Sequence, residues 1–208
     1  MQFVAFSDTH NYHNRLSLPD GDVLLFAGDM CGWGHLKEVE DFGRWLSKQP
    51  HPFKIVIAGN HDWPFQLEPS KAREALGEVI YLEDEAVEIQ GVTIYGSPWQ
   101  PKFCRWAFNL PRGEKLREIW SKIPSHTDIL LTHGPPYGTL DRTFDQRPVG
   151  CEDLRARVKQ LPNLKAHIFG HIHESYGTQN ADGCQFYNAS ICDLGQRKAV
   201  NKPWTFSL

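Results

Sequence analysis

The chain has 208 residues, with 22 Lys and Arg against 25 Asp and Glu for a formal net charge of −3, and 40% of its residues are hydrophobic. This composition predicts one soluble globular domain over residues 1–208 and excludes disordered and collagen-like chains. Near-neutral charge gives no overall reason to bind long nucleic acid or an anionic membrane, so any phosphate must be gripped locally.

Short apolar runs that close on turn residues predict strands, and one-sided apolar periodicity predicts helices between them. In chain order these are a strand at 3–6, a strand at 23–27, a helix at 36–49 with Leu36, Val39, Phe42 and Leu46 on one face, and a strand at 54–58. A helix at 68–76 follows, then a hairpin within 85–95 turning at Gly91, with its second strand at 92–95. A helix at 114–123 ends before Pro124, a strand covers 129–132, and a helix at 151–161 ends before Pro162. Strands at 166–169, 185–188 and 204–207 complete a mixed α/β pattern. Residues 97–111 and 134–150 fit no element; loops longer than about 12–15 residues are usually functional or disordered, and their aromatic content argues against disorder.

No apolar run approaches the roughly 20 residues a membrane helix needs. The first residues carry no basic stretch or small-residue cleavage site, which predicts no export signal. Cys31, Cys104, Cys151, Cys184 and Cys192 are odd in number and never in CxxC spacing, as expected of reduced thiols in a cytoplasmic protein.

Five predicted strands end in the same kind of chemistry. The first runs into Asp8-Thr9-His10, the second into Gly28-Asp29, and the third into Gly59-Asn60-His61-Asp62. His133-Gly134 and Gly170-His171-Ile172-His173 follow two later strands. Ligands of α/β sheets sit outside the carboxyl ends of strands, so groups distant in sequence can converge there. Imidazole, carboxylate and amide donors without thiolate suit Mn, Fe, Zn, Co or Ni, and the set is large enough for two ions. Two ions about 3.5–4 Å apart need a shared ligand, and Asp29, preceded by a small glycine, is the natural bridge.

The ordered series Asp8-x-His10, Gly28-Asp29, Gly59-Asn60-His61-Asp62, His133-Gly134 and Gly170-His171-x-His173 resembles the calcineurin-like metallophosphoesterases. Tyr95-Gly96-Ser97-Pro98-Trp99-Gln100-Pro101, followed by Trp106-Ala107-Phe108-Asn109, is similar to the class III, metallophosphoesterase-domain-containing branch. The resemblance implies an α/β/β/α fold, two β-sheets packed as a sandwich flanked by helices, with a dinuclear metal site at strand C-terminal ends. It implies that Asp8, His10, Asp29 and His173 hold one divalent ion, manganese being favoured, and that Asp29, Asn60, His133 and His171 hold the other. His61 is then the catalytic residue, unligated and able to protonate the leaving oxygen, while a bridging hydroxide attacks phosphorus. The expected substrate is a nucleotide-like or other small phosphodiester; a phosphomonoesterase and a weakly active metal-dependent nucleotide-binding or scaffold protein are the alternatives.

Gly28-Asp29 continues as Met30-Cys31-Gly32-Trp33 rather than Asp-Arg-Gly, which departs from the protein Ser/Thr phosphatase branch, and Asp62 stands where many relatives carry Glu. His13, His35, His51, His126 and His167 are expected to be surface or hydrogen-bonded residues, and Cys31 a buried thiol. Trp99 to Phe108 could wall a base-binding site or pack a long loop onto the sheet. Asn109, Arg112, Arg142 and Arg147 are not assigned to the site.

Overall fold

The computed structural model describes residues 1–193 and 198–208. Its first half alternates strand and helix: β1 (Gln2–Phe6), β2 (Val23–Ala27), α1 (Leu36–Ser47), β3 (Phe53–Ile57), α2 (Trp63–Leu67), α3 (Pro69–Leu76) and β4 (Ile80–Tyr81). The hairpin β5 (Glu85–Ile89) and β6 (Val92–Ser97) follows, then the short pair β7 (Gln100–Pro101) and β8 (Asn109–Leu110). Next come α4 (Glu114–Ser121), β9 (Ile129–Thr132), α5 (Glu152–Val158) and β10 (Ala166–Phe169). The strands β11 (Gly177–Ala181), β12 (Cys184–Asn188), β13 (Cys192–Asp193), β14 (Lys198–Ala199) and β15 (Trp204–Ser207) close the chain.

Two main sheets result, in the orders β15-β1-β2-β3-β4 and β11-β12-β10-β9-β6-β5. Strands β1 to β4 are mutually parallel, with β15 antiparallel at the edge. In the second sheet β12, β10, β9 and β6 are parallel between antiparallel edges. Side chains alternate across a strand, so each sheet can be apolar on both faces. Phe3, Ala5, Val23, Leu25, Ala27, Ile55 and Ile57 meet Ile94, Ile129, Leu131, Ala166 and Ile168 between the sheets. The opposite residues, Phe6, Leu24, Phe26 and Val56, pack under Val39, Phe42 and Leu46 of α1 and Ala72 and Leu76 of α3. Tyr95, Leu130, Phe169 and Phe186 pack under Leu116 and Trp120 of α4 and Leu154 and Val158 of α5. The fold is therefore a two-sheet sandwich with helices on both outer faces, as the sequence implies.

Local chemistry sets the element ends. The Gln90-Gly91 turn of the hairpin has φ of 50° and 80°, the left-handed pair that a two-residue hairpin requires. Helix α1 stops at Ser47 rather than Gln49, three residues before Pro50. The segment 97–111, unassigned from the sequence, contains the β7–β8 pair, and Trp99 meets Phe108 edge to face at 5.5 Å between ring centroids. Phe108 is buried in the cluster under α1, so this part of the aromatic stretch is packing. Among the described residues no helix is long and apolar enough to cross a membrane.

Candidate metal centre

Parallel strands deliver their carboxyl ends to one edge, and at that edge the two sheets are stitched together. Ser7 N–H donates to Ala189 O (2.9 Å), and His133 Nδ1 pairs with Ala27 O of the opposite sheet at 3.0 Å. The backbone leaves the strands abruptly here: Asp8, His10, Asp29 and His171 all have positive φ, between 40° and 67°. Side chains tolerate this poorly, so the conformation has to be over-determined by surrounding bonds. Gly170 is required by close approach, because a Cβ there would collide with the Asp8 carboxylate and Ser7 Oγ. A Cβ at Gly59 would likewise meet the Asp29 carboxylate.

Three sets of donor atoms converge, all within 4.8 Å of one another in each set: Asp8, His10 and His173; His10, Asp29 and His61; and Asp8, Asp29 and His133. Asp29 Oδ2 faces His133 Nε2 at 3.4 Å and His10 Nε2 at 3.8 Å, so one oxygen addresses both sides of the cluster. Its Oδ1 accepts the His61 backbone N–H at 2.7 Å. Asp8 divides its oxygens in the same way. Oδ2 accepts the Ser7 and Ser190 hydroxyls at 2.5 and 2.9 Å, while Oδ1 faces His173 Nε2 at 3.2 Å.

The imidazoles are oriented through their far nitrogens. Nδ1 of His10, His61 and His133 lies 3.1, 2.9 and 3.0 Å from the carbonyl oxygens of Cys31, Gly32 and Ala27. A carbonyl only accepts, so each Nδ1 carries the proton and each Nε2 presents a lone pair to the centre. His133 Nε2 then stands 2.8 Å from Asn60 Oδ1, which is also an acceptor. His10 Nε2 and His173 Nε2 are 3.4 Å apart. Facing lone pairs of this kind need a cation between them. Without one a proton takes its place: burial lowers the His133 pKa, but the Asp29 carboxylate outweighs it and holds the group up at about 9. His173 is also lowered by burial and raised more strongly by Asp8. Burial pushes Asp29 up, yet the charge and hydrogen bond of His133, with His61 and His10, keep it well below the usual carboxylate range. The donor set of buried carboxylates, an amide oxygen and lone-pair imidazoles thus fits divalent cations of the Mn or Zn type.

The other expected residues are placed less uniformly. Asn60 reaches the cluster through His133, as described. The His171 ring packs beside His133, with 5.0 Å between centroids, and its backbone N–H donates to Asp8, but it joins none of the three converging sets. His61 does join one, with His10 and Asp29, and its ring stacks on Trp106 at 4.1 Å. Cys31 is a buried thiol whose carbonyl serves His10, and burial with the nearby Asp62 charge pushes its pKa upward. His167 Nε2 meets Thr132 Oγ1 at 2.8 Å, as expected of a hydrogen-bonded histidine, whereas His13 departs from that expectation: it is buried against Phe42 and Trp45, and neither ring nitrogen has a hydrogen-bond partner among the described residues.

Two contributions were not legible from residue types. Asp62 Oδ2 accepts the backbone N–H groups of Asp29 and Gly59, both at 2.8 Å, and Oδ1 accepts that of Cys31 at 2.9 Å. Buried among them and beside the Asp29 charge, its pKa rises to about 6. Ser7 and Ser190 hold Asp8, and Ser190 arrives from a distance of 182 residues in the chain. The Asn-His-Asp spacing was the available signal for Asp62; none marked Ser190.

A family model for calcineurin-like phosphoesterases matches residues 1–175. The chain is 42% identical to human metallophosphoesterase domain-containing protein 1 over 100% of its own length and 71% of that protein. A Caenorhabditis elegans protein, UPF0046 protein T07D4.2, is 38% identical over 93% of this chain and 56% of its own. One solved crystal structure superposes with a TM-score of 0.74 at 17% identity, covering 99% of both chains. The TT1561 protein of Thermus thermophilus superposes at 0.61 and 14% identity over 90% of this chain and 88% of that one. These two similarities show the fold, and with the family match over the strand-end residues they agree with the donor cluster at the sandwich edge: the chain belongs to the calcineurin-like phosphoesterase family.

Proposed function

We propose that this chain is a dinuclear metal-dependent phosphodiesterase acting on small phosphodiesters, nucleotide-like ones included. The observation that carries the reading is Asp29 Oδ2, which faces the imidazoles of His10 and His133 from one buried oxygen and so can serve two ions at once. Asp8, His10 and His173 belong to one ion, Asn60, His133 and His171 to the other, and Asp29 to both. Divalent cations, of which manganese suits these oxygen and nitrogen donors, neutralise phosphoryl oxygens and acidify water for attack at phosphorus. His61, its Nδ1 fixed on Gly32 O, directs Nε2 toward the centre, where it can hold a proton for the leaving oxygen.

A diester is favoured over a monoester by charge. A monoester dianion is usually gripped by arginine, and three loop arginines are engaged elsewhere: Arg112 on Gly150 O and Glu152, Arg142 on Gln146 O, and Arg147 on Asp145. Five free cysteines favour a reducing compartment, the cytoplasm. The test compares initial rates on bis(4-nitrophenyl) phosphate and 4-nitrophenyl phosphate after chelator stripping, with Mn, Ni, Zn or Mg restored singly. Metal-restored hydrolysis with a higher kcat/KM for the diester is expected. A higher value for the monoester would make the protein a phosphomonoesterase, and no hydrolysis of either would point to a binding or scaffold role.

A further inference from the structure

A cavity of about 470 Å³ opens directly beside the candidate metal centre, lined among the described residues by His10, Tyr12, Gly32, Trp33, His61 and Asp193 together with neighbours. None of its described lining residues is a lysine or arginine. Trp33 stands in its wall with 81% of its surface exposed. The loop backbone that carries this indole is fixed on both sides. The Glu38 carboxylate accepts the backbone N–H of Gly32 at 3.1 Å, of Trp33 at 3.1 and 3.2 Å, and of His35 at 2.7 Å. From the other side, the site imidazoles hold the same loop: His10 Nδ1 on Cys31 O and His61 Nδ1 on Gly32 O. The residues that bond the candidate catalytic imidazoles therefore also fix the backbone from which the indole projects.

We infer that this cavity is the subsite for an organic group carried by phosphorus, and that it selects a planar, apolar group stacked on Trp33. The inference rests on the phosphodiesterase reading for its position beside phosphorus, and adds the chemistry of the group. An indole on a fixed backbone offers a flat apolar face for stacking.

Binding separates this from turnover if the probe cannot be hydrolysed. Methyl(phenyl)phosphinate and dimethylphosphinate are monoanions whose organic groups are joined to phosphorus through carbon, with no ester bond to hydrolyse, and they differ by one planar apolar group. Calorimetric titration into the manganese-reconstituted protein is expected to show about ten-fold tighter binding of the phenyl compound. Trp33→Ala should bring that ratio close to one, Trp33→Phe should retain most of it, and Leu67→Ala, which removes an exposed leucine outside this cavity, should leave it intact. Equal affinity for both compounds in the wild type, or an unchanged ratio in Trp33→Ala, would overturn the subsite. The phenyl preference would survive a failure to hydrolyse any diester, and diester hydrolysis without the preference would leave the enzymatic reading standing alone.

Discussion

The centre is built so that each carboxylate has one oxygen bound by the protein and one turned inward. Asp29 is the extreme case, and Asp29→Asn is expected to lose both ions and metal-dependent turnover; unchanged metal content by elemental analysis would remove it as the bridge. Asp62 acts through Asp29, since it ties the turn that presents it. Groups that orient a metal ligand are typically worth about 10–100-fold in affinity, so Asp62→Asn should weaken manganese binding by that order in a competitive chelator titration, with Asp62→Glu recovering part of it. His61→Ala should spare metal content while kcat falls roughly 10²-fold or more, the usual span for a proton-transfer group. Loss of metal in that variant would instead make His61 a ligand, in line with its approach to His10 and Asp29. Types and spacing in the sequence singled out eight residues, because consecutive strand ends are local, and the structure brings six of them into the converging sets, with Asn60 beside His133 and His171 outside them. The Asp62 bonds and the Trp33 wall are made across the fold through backbone groups, which residue types do not encode.

At the scale of elements, strands with short apolar runs, 23–27, 129–132 and 166–169, and the alternating Trp-Thr-Phe-Ser of 204–207 were legible and have the bounds that the sequence suggests. Strand β11, Gly177–Ala181, is an edge strand of Gly, Thr, Gln, Asn and Ala with its middle exposed, so it carries no apolar alternation to detect. Helix α2 has five residues with Pro64 in its first turn, too short for a periodic signal. The periodic face of α1 makes a sharper statement about stability: Phe42 is fully buried against Phe26, and Phe42→Ala should cost about 3–5 kcal/mol in denaturant unfolding. Strand β10 carries a pH dependence. Burial, with some help from Arg155, lowers the His167 pKa to about 3. The unfolded chain binds that proton below about pH 6.5 and the folded chain refuses it until about pH 3, so stability falls as pH drops through this window. The slope for one such group is about 1.4 kcal/mol per pH unit. Measured between pH 6 and pH 4.5, His167→Leu should lack this component, so that the stability of the wild type declines relative to the variant; parallel pH profiles would show that His167 is protonated in the fold.

For the whole molecule, the sandwich places the parallel strands of its two sheets so that their carboxyl ends share an edge, and the residues that meet there come from positions 8 to 173. No single segment holds a complete donor set, which ties the centre to the assembly of both sheets. Cations bound to the folded state alone stabilise it by mass action. The account stands on two ions acting together on a phosphodiester. The most direct measurement is the initial rate of bis(4-nitrophenyl) phosphate hydrolysis as manganese is titrated into chelator-stripped protein, with Asn60→Ala run alongside. The expected curve rises to a plateau at two equivalents per chain, and the variant falls far short of the wild-type plateau. Full activity at one equivalent, activity without metal, or an unaffected Asn60→Ala would contradict a dinuclear centre built from these residues.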